Sequence, residues 1–330
     1  MADDDRIENF QQAFGGLKAE MQKVIVGYED VIENVLTCFF AGGNCLLESV
    51  AGLGKTLIAK TLSDVLELDH KRIQFTPDLM PSDIIGTTIV SESEDGKRHF
   101  EFQRGPVFTN ILLADEITRA TPKTQSALLE AMQERMVSVG GTTYELELPY
   151  FVIATMAPEE ESEGTYHRPE AQLDRFFFKL TLPKPDIDTL QTISQRTTGG
   201  GRTELEQIIS GAEAADLMTL VREVRVPESS ERHAVDMVLG THPESEEGSQ
   251  TAKQFLRYGS SPRGVQALVL GGKVRALLDG KFDVEPAHID AIAREALNHR
   301  LLLNFEGQAE GISTEKIIDE TLEEVGGRAA

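Results

Sequence analysis

The order of apolar and polar positions divides the chain near residue 185. Before this point, short apolar runs alternate with longer segments in which apolar residues recur every three or four positions. The runs predict strands at 45–47, 71–75, 111–114, 151–155 and 177–182, and the spaced positions predict helices at 7–23, 29–41, 121–135 and 169–176. Strands that alternate with helices are typical of a parallel sheet covered by helices. Residues 1–185 are therefore predicted to form an α/β domain.

The pattern after residue 185 is helical only. Apolar positions at helical spacing predict helices near 204–225, 229–240, 263–279, 286–302 and 313–325. Three consecutive glycines within residues 197–202 predict a flexible break, and the polar residues 244–251 predict a loop. Residues 186–330 are therefore predicted to form a second, all-helical domain.

In two segments of the first domain, apolar and polar residues alternate as they do in β-hairpins. Within residues 76–109, alternating runs at 88–90 and 99–102 flank a turn signal at 94–97, which predicts a hairpin inserted in a helix. Residues 136–148 contain Gly140 and Gly141, a pair that suits a type I′ turn. A connection as long as 76–109 commonly carries function, although a surface decoration is the alternative.

Composition restricts the classes of function. The net charge is −23, with 55 acidic against 32 basic residues, and such a field repels nucleic acid and anionic membranes. Cys38 and Cys45 lie in apolar runs, as reduced core cysteines do, and the histidines lack metal-ligand spacing. The sequence shows no signal peptide and no run long enough to span a membrane. We expect a cytoplasmic protein that neither binds nucleic acid nor inserts into a membrane.

The strand predicted at 45–47 leads into the first chemical motif. Residues 44–56 read NCLLESVAGLGKT, a strand, a glycine-bearing loop and the start of a helix. Gly52 and Gly54 allow backbone N–H groups to approach phosphate oxygens, Lys55 would contact the β- and γ-phosphates, and the Thr56 hydroxyl would hold Mg²⁺. The strict P-loop pattern has glycine where this chain has Ser49. Alone, the stretch could be a glycine-rich turn with a chance lysine.

A second motif supports the first. Residues 110–117 read NILLADEI, in which a buried strand ends in Asp115 and Glu116. Asp115 can hold the water shell of Mg²⁺, and Glu116 can orient and polarise an attacking water. A strand that ends in two acids is weak evidence alone. Together with a P-loop 60 residues earlier, it predicts binding and hydrolysis of ATP.

Longer motifs carry a family resemblance. It extends from about Val24 to Val325 and rests on VIVGYEDVIENVL, LLESVAGLGKT, RIQFTPDLMPSDIIGT, GPVFTNILLADEITRATPKTQSALLEAMQE, EGTYHRPEAQLDRF, GSSPRG and HRLLLNFEGQAEG. These segments resemble the MoxR family of AAA+ ATPases. The resemblance implies a P-loop core with a parallel five-stranded sheet, an all-helical lid, and a homo-oligomeric ring, usually a hexamer, with ATP between neighbours. It also implies chaperone-like maturation of protein complexes or insertion of cofactors and metals, with a client and a partner that carries a von Willebrand A domain.

Individual roles follow from the resemblance. Arg175 resembles the arginine finger that reaches the neighbour's γ-phosphate, and Arg263 resembles sensor 2. Without the motif around it, Arg175 would be interpreted as part of a structural salt bridge. Residues 76–109 match the helix-2 insert, and 136–148 match the pre-sensor-1 hairpin. The segment that contains Val26 and Gly27 either lies against adenine or packs under the first helix. The predicted nucleotide contacts are Val26, Gly27, Gly52, Leu53, Gly54, Lys55, Thr56 and Leu57.

Three positions depart from the family pattern. Ser49 occupies a variable P-loop position, and His167-Arg168 replaces a Pro-Leu pair near the expected subunit interface. Met156-Ala157 replaces Gln-Asn, so the sensor-1 amide that would help hold the attacking water is missing. Thr155, on the same strand face as Ala157, could partly substitute. The alternative function is therefore an ATP-binding scaffold or switch with little turnover.

Overall fold

The computed structural model describes residues 3–50, 52–92, 98–158, 170–199 and 203–329. The first region contains helices α1 (Asp3–Gln22), α2 (Glu29–Phe40), α3 (Lys55–Leu66), α4 (Pro81–Ile85), α5 (Pro122–Glu134) and α6 (Glu170–Leu173). Its strands are β1 (Cys45–Glu48), β2 (His70–Gln74), β3 (Gly86–Glu92), β4 (Arg98–Arg104), β5 (Ile111–Asp115), β6 (Met136–Val139), β7 (Thr142–Glu145), β8 (Phe151–Met156) and β9 (Phe178–Thr181). A 3₁₀ turn at Ile117–Arg119 follows β5.

Five of these strands form one parallel sheet in the order β2-β5-β8-β1-β9, which confirms the predicted core. Leu47 of β1 aligns with Thr155 of β8, and Ala114 of β5 aligns with Ala154. The residues that follow β1, β5 and β8 therefore meet at the carboxyl edge of the sheet, where α/β proteins place their ligands.

Separate apolar clusters cover the two faces of the sheet. Cys45 and Leu47 point into a cluster with α1, α2 and α3, while Leu46 points into the cluster on the opposite face. In the first cluster, Phe39 packs edge-on against Phe151 with ring centroids 5.5 Å apart. Full burial of one such side chain contributes about 1.5–3 kcal/mol, so both faces fix the position of β1 and the loop after it.

The second region contains α7 (Ile187–Thr198), α8 (Gly211–Glu223), α9 (Glu228–Gly240), α10 (Gln250–Phe255), α11 (Pro262–Leu278), α12 (Pro286–Asp290), α13 (Ala293–Leu297), α14 (Phe305–Ala309) and α15 (Thr314–Ala329). The helix predicted from residue 204 begins at 211, because Ser210 and Glu213 form a capping box there. The helix predicted at 286–302 is two short helices, and Ile292 between them has a φ of −124°, outside the helical range.

The predicted helical lid is confirmed, and it also contains one small sheet that the sequence did not predict. Strands β10 (Leu256–Tyr258) and β11 (Leu302–Leu303) form a small antiparallel sheet between lid helices. Periodicity missed it because strands this short carry almost no alternation. Within the described part of the chain, no helix combines the length and apolar character needed to cross a membrane.

Both predicted hairpins form, but the first follows a helix rather than interrupting one. α4 ends at Gly86, where φ is 102° and an added Cβ would lie 2.3 Å from the Gln103 carbonyl oxygen. β3 and β4 then pair from Gly86 with Arg104 to Glu92 with Arg98, and residues 105–110 form no helix after them. The turn predicted at 94–97 lies outside the described residues. The rings of Phe102 and Tyr144 stack at 4.3 Å and join this hairpin to the β6–β7 hairpin.

Candidate nucleotide site

The loop between β1 and α3 has the backbone of a phosphate-binding loop. Gly52 and Gly54 have φ angles of 88° and 86°, and no atom lies within 4 Å of a Cβ built on either. Glycine is therefore required here by the left-handed backbone rather than by crowding. Gly54 also caps the N-terminus of α3, so the loop and helix present free N–H groups on one side. The predicted strand–loop–helix arrangement is confirmed.

The side chains of the loop separate into exposed and buried groups. Lys55 Nζ donates to the carbonyl oxygens of Ser49 and Val50, at 3.1 and 3.5 Å, so it lies over the loop. Thr56 is exposed at the start of α3, and Leu57 beside it is 40% exposed. Ser49 is buried and donates to the Val50 carbonyl, which keeps its side chain out of the space above the loop. Ala51 lies outside the described residues.

Asp115, Glu116 and Thr155 lie together at the carboxyl edge, and we call them the strand-end cluster. The Thr155 hydroxyl donates to Asp115 Oδ1 at 2.6 Å and accepts from the Glu116 N–H at 2.9 Å. Glu116 has a φ of 58°, a left-handed conformation that costs about 1–2 kcal/mol in a residue with a Cβ. The bond from its N–H to Thr155 holds this conformation, and one buried hydroxyl thereby fixes both acids.

The same geometry changes the expectation for Thr155. Its side chain is fully buried, and its one proton is donated to Asp115 rather than to a water above the loop. In this arrangement the hydroxyl positions the two acids, and the sensor role that the sequence suggested for Thr155 stays a prediction. Ala157 follows β8 half-buried, and its methyl side chain contains no hydrogen-bond donor.

Further partners surround the two acids. Arg72 donates to Asp115 Oδ2 at 2.6 Å, Arg119 Nε lies 2.8 Å from Glu116 Oε2, and Gln74 donates to the same oxygen at 3.3 Å. The sequence reasoning missed these residues. The sequence does contain a signal for two of them. Arg72 and Gln74 are two residues apart on β2 and so share one face of the strand, and Gln74 aligns with Asp115.

Arg263 does not lie alone at the start of α11, where the resemblance places sensor 2. Its guanidinium donates to Asp174 Oδ2 at 2.9 Å, and the Ser261 hydroxyl donates to Asp174 Oδ1 at 2.7 Å. The buried Arg300 approaches the same carboxylate, with Nε 3.2 Å from Oδ1. We call Asp174, Ser261, Arg263 and Arg300 the core–lid joint. Burial lowers the pKa of Arg300 to about 10, which leaves it a cation at neutral pH.

Arg175 follows Asp174 directly and is exposed. Its guanidinium donates to the amide oxygen of Gln133 at 2.7 Å. The candidate finger and the candidate sensor 2 are thus connected through Asp174, which the sequence did not reveal. The neighbouring departure at His167-Arg168 lies outside the described residues.

The segment before α2 was predicted either to contact adenine or to pack under the first helix. Ile25 is buried and donates its N–H to the Met21 carbonyl, so the start of the segment packs with α1. Gly27 is exposed with a φ of 79°, and a Cβ built on it would lie 2.6 Å from Thr189 Cγ2 of α7. Adenine contact by Val26 and Gly27 stays a prediction.

Comparison with known proteins defines the class. The profile of the ATPase family associated with various cellular activities matches residues 44–178, and that of the AAA lid domain matches residues 249–321. The chain is therefore an AAA-type ATPase with a helical lid, as the sheet, loop and strand-end cluster indicate. The precise boundary predicted at residue 185 falls between the two matches and stays a prediction.

Relatives narrow the class to one family. The chain is 38% identical over 306 residues to Chaperone MoxR1 of Mycobacterium tuberculosis, covering 93% of this chain and 80% of the relative. It is 39% identical over 321 residues to the uncharacterized protein YeaC of Bacillus subtilis, covering 96% of each. A crystal structure from Cytophaga hutchinsonii, provisionally assigned as an ATPase, superimposes with a TM-score of 0.89 at 39% identity, covering 97% of this chain and 96% of that one. The chain belongs to the MoxR family of AAA+ ATPases.

Proposed function

We propose that this chain binds ATP with Mg²⁺ at the carboxyl edge of the sheet and hydrolyses it. The observation that carries the proposal is the Thr155 hydroxyl, which fixes Asp115 and Glu116 beside the phosphate-type loop. Glu116 adopts a left-handed backbone here, and the bond from its N–H to Thr155 holds that conformation. Stored strain of this kind is characteristic of functional sites.

The residues of the loop fit a triphosphate. Gly52 and Gly54 leave backbone N–H groups accessible, and the N-terminus of α3 favours negative charge. Lys55 is bonded only to loop carbonyls among the described residues, so its ammonium can turn to the β- and γ-phosphates without breaking an ion pair. The exposed Leu57 and the half-buried Leu53 border this surface.

The donor set also fits Mg²⁺, which offsets phosphate charge when bound with ATP. Within the described residues, no group of three or more His, Cys, Asp or Glu side chains could hold a metal ion by itself. This matches the behaviour of Mg²⁺, which usually takes one or two protein ligands together with phosphates and water. The Thr56 hydroxyl and the Asp115 carboxylate would hold it, and Arg72 would have to share Asp115. Glu116 would orient the attacking water and accept its proton.

Hydrolysis is proposed to occur between subunits of a homo-oligomeric ring, which in this family is usually a hexamer. Arg175 supports this arrangement, because its guanidinium is exposed and bonded to a neutral amide. Such a group can reach a neighbour's nucleotide at little cost. Arg175 follows Asp174 in the chain, and Asp174 bonds to Arg263. A movement of Arg263 in response to the subunit's own nucleotide would therefore shift Arg175 at the adjacent site.

The work performed by hydrolysis is proposed from the family. A relative that is 38% identical is named a chaperone, which supports chaperone-like maturation or assembly of protein complexes. A client complex, a partner with a von Willebrand A domain and insertion of a metal or cofactor belong to the same proposal. The net charge of −23 supports protein clients over nucleic acid.

The test is ATP binding and phosphate release by the Lys55→Ala variant. We expect binding to be lost, because the variant lacks the loop cation that would contact the β- and γ-phosphates. The matched control is Lys60→Ala, which removes an exposed lysine from the same helix and should leave affinity and turnover unchanged. Unchanged ATP affinity in Lys55→Ala would refute the site.

Ala157 favours a second candidate, an ATP-binding scaffold or switch. Its side chain lacks the amide that would hold the attacking water, and Thr155 cannot supply it because its proton is donated to Asp115. The two functions differ in steady-state turnover. Tight ATP binding without measurable phosphate release from assembled rings would select the scaffold.

A further inference from the structure

A basic cleft lies at the end of the sheet opposite the P-loop. It has a volume of about 250 Å³ and lies beside Tyr150, which precedes β8, and Gly42, which precedes β1. Its floor and walls are apolar, and its rim carries cations. The lining residues are Phe40, Gly42, Arg135, Leu148, Pro149, Tyr150, Ala215, Met218, Thr219 and Arg222.

Two guanidinium groups converge at the rim of this basic cleft. A Cβ built on Gly42 would lie 3.3 Å from Arg222 Nη2 and 3.5 Å from Arg135 Nη2, so both groups approach the same point. Among the described residues, neither forms an ion pair with a carboxylate. This is unexpected in a chain with 55 acidic and 32 basic residues, because acids are abundant enough to neutralise every arginine.

The local electrostatics confirm that positive charge accumulates there. Burial, and then the charge of Arg135, lower the pKa of Arg222. Lys273 adds a third cation, since its Nζ donates to the Arg222 carbonyl oxygen at 2.8 Å, and burial and Arg222 lower its pKa as well. The positive charges of these three side chains repel one another. A bound anion would reduce this repulsion and so stabilise the folded protein.

Helix capping explains part of this arrangement. Arg135 donates to the Gly42 carbonyl at 3.2 Å and Arg222 to the Ala41 carbonyl at 3.3 Å, where cations stabilise the C-terminal end of α2. Each bond involves one nitrogen of a side chain that carries five N–H donors. Capping therefore leaves most donors of both guanidinium groups available.

Tyr150 provides an independent observation. It is 4% exposed and lines the basic cleft, yet its hydroxyl has no hydrogen-bond partner among the described residues. A buried polar group without a partner destabilises a protein by about 1–3 kcal/mol. Capping of α2 gives no reason for this unsatisfied hydroxyl. Its oxygen is buried, so a ligand would bond to it only after the side chains that line the basic cleft shift.

We propose that the basic cleft binds a small organic anion, with a phosphate or carboxylate head between Arg135 and Arg222 and a short apolar body against Leu148 and Met218. Paired guanidinium groups suit the planar, bidentate recognition of such heads. The volume is below the roughly 300–1,000 Å³ of drug-sized sites, which selects a ligand of about one ring and excludes a nucleotide. Because Arg135 follows α5 and Arg222 lies on α8, the anion links the sheet domain to the helices after it.

The experiment is calorimetric titration of the full chain with phenyl phosphate, benzoate and inorganic phosphate. The protein is first saturated with MgADP, so that the P-loop cannot bind the probes. We expect saturable binding of phenyl phosphate or benzoate that is tighter than binding of inorganic phosphate, because the ring contacts the apolar floor. The tighter of the two organic probes identifies the preferred head.

Variants locate the binding. A charge-assisted hydrogen bond contributes about tenfold to hundredfold in affinity, so Arg135→Gln and Arg222→Gln should each weaken binding by that factor. Thr219→Glu should weaken binding at least as much while keeping both arginines, because the new carboxylate pairs with Arg222 one helical turn away and repels an anion. The matched control is Arg232→Gln, which removes an exposed arginine of α9 and should change nothing.

Unchanged MgADP affinity in each variant shows that the protein is folded. No saturable binding of any probe up to about 10 mM would overturn the proposal, as would equal affinity in the wild type and in both glutamine variants. Organic probes that bind no more tightly than inorganic phosphate would overturn the assignment of an organic anion.

Discussion

The strand-end cluster and the core–lid joint both contain residues that are proposed to act on the nucleotide, but they are built differently. Asp115 and Thr155 come from neighbouring strands of one sheet, and the register of the sheet alone brings them together. In the joint, Asp174 receives Arg263 from 89 positions away, and Arg300 approaches from the end of the lid. The joint therefore depends on how the lid docks, whereas the cluster does not. Under the proposed function, the lid would respond to the bound nucleotide through the joint, while the sheet keeps the two acids of the cluster in place.

The largest effect is expected at Arg175, which extends the joint toward a neighbouring subunit. Arg175→Ala should lower the rate of hydrolysis by about 10³–10⁵ and leave ATP affinity of the isolated subunit nearly unchanged, because fingers supplied between subunits act on the transition state. Phosphate release and nucleotide titration measure the two quantities. Mixtures with Lys55→Ala subunits should recover some activity, and no recovery at any ratio would show that Arg175 does not act across subunits.

The joint itself can be broken with Asp174→Asn. The change removes the carboxylate beside the buried Arg300, and an unpaired buried charge costs about 3–5 kcal/mol. Urea unfolding should show a loss of this order in the free energy of unfolding. Asp216→Asn, which changes an exposed carboxylate of α8, is the control and should have little effect. Equal stability of the two variants would mean that Asp174 does not hold the joint.

The strand-end side of the comparison can be sharpened by restoring an amide. Ala157→Asn should raise kcat by about 10²–10³ with ATP affinity nearly unchanged, because one preorganised donor is typically worth that factor in a transition state. Steady-state phosphate release at saturating ATP measures it. Unchanged or lower kcat in correctly assembled rings would mean that Glu116 positions the water without an amide at 157.

The smallest effect tests whether Thr155 holds the cluster. Thr155→Val keeps the shape but removes the hydroxyl, which leaves the Glu116 N–H and one Asp115 oxygen without this partner. The free energy of unfolding should fall by about 1–3 kcal/mol, and turnover should fall with it. Thr155→Ser retains the hydroxyl and should behave close to wild type. A valine variant as stable and active as the serine variant would remove Thr155 from the account.

The same comparison explains what the sequence could predict. Gly52, Gly54 and Lys55 form a contiguous motif with a local backbone requirement, so the motif alone predicted their geometry. Asp115 and Glu116 were found because a buried strand leads directly to them. The pairing of Asp174 with Arg263 and Arg300 was missed, since no local periodicity encodes how a lid docks on a core. The sequence predicted that Thr155 lies at the end of a strand. It did not predict the bond from Thr155 to Asp115, because a hydroxyl at that position can bond to protein or to water.

The two short lid strands and the break near Ile292 show the same limit. The strands form where residues 256–258 meet 302–303, so their pairing depends on the tertiary fold rather than on local propensity. The Arg135–Arg222 pair was missed for this reason too. Only the fold brings both arginines to Gly42.

The most direct test of the account is the rate of phosphate release at saturating MgATP, compared between wild-type rings and Glu116→Gln rings. Both proteins should bind ATP with similar affinity, because Glu116 lies beyond the phosphate-binding loop and the amide is isosteric. The wild type should release phosphate, and the variant should release almost none, since an amide cannot accept the proton of the attacking water. Equal rates in the two proteins would contradict the central claim that Glu116, fixed by Thr155, is the group that activates water.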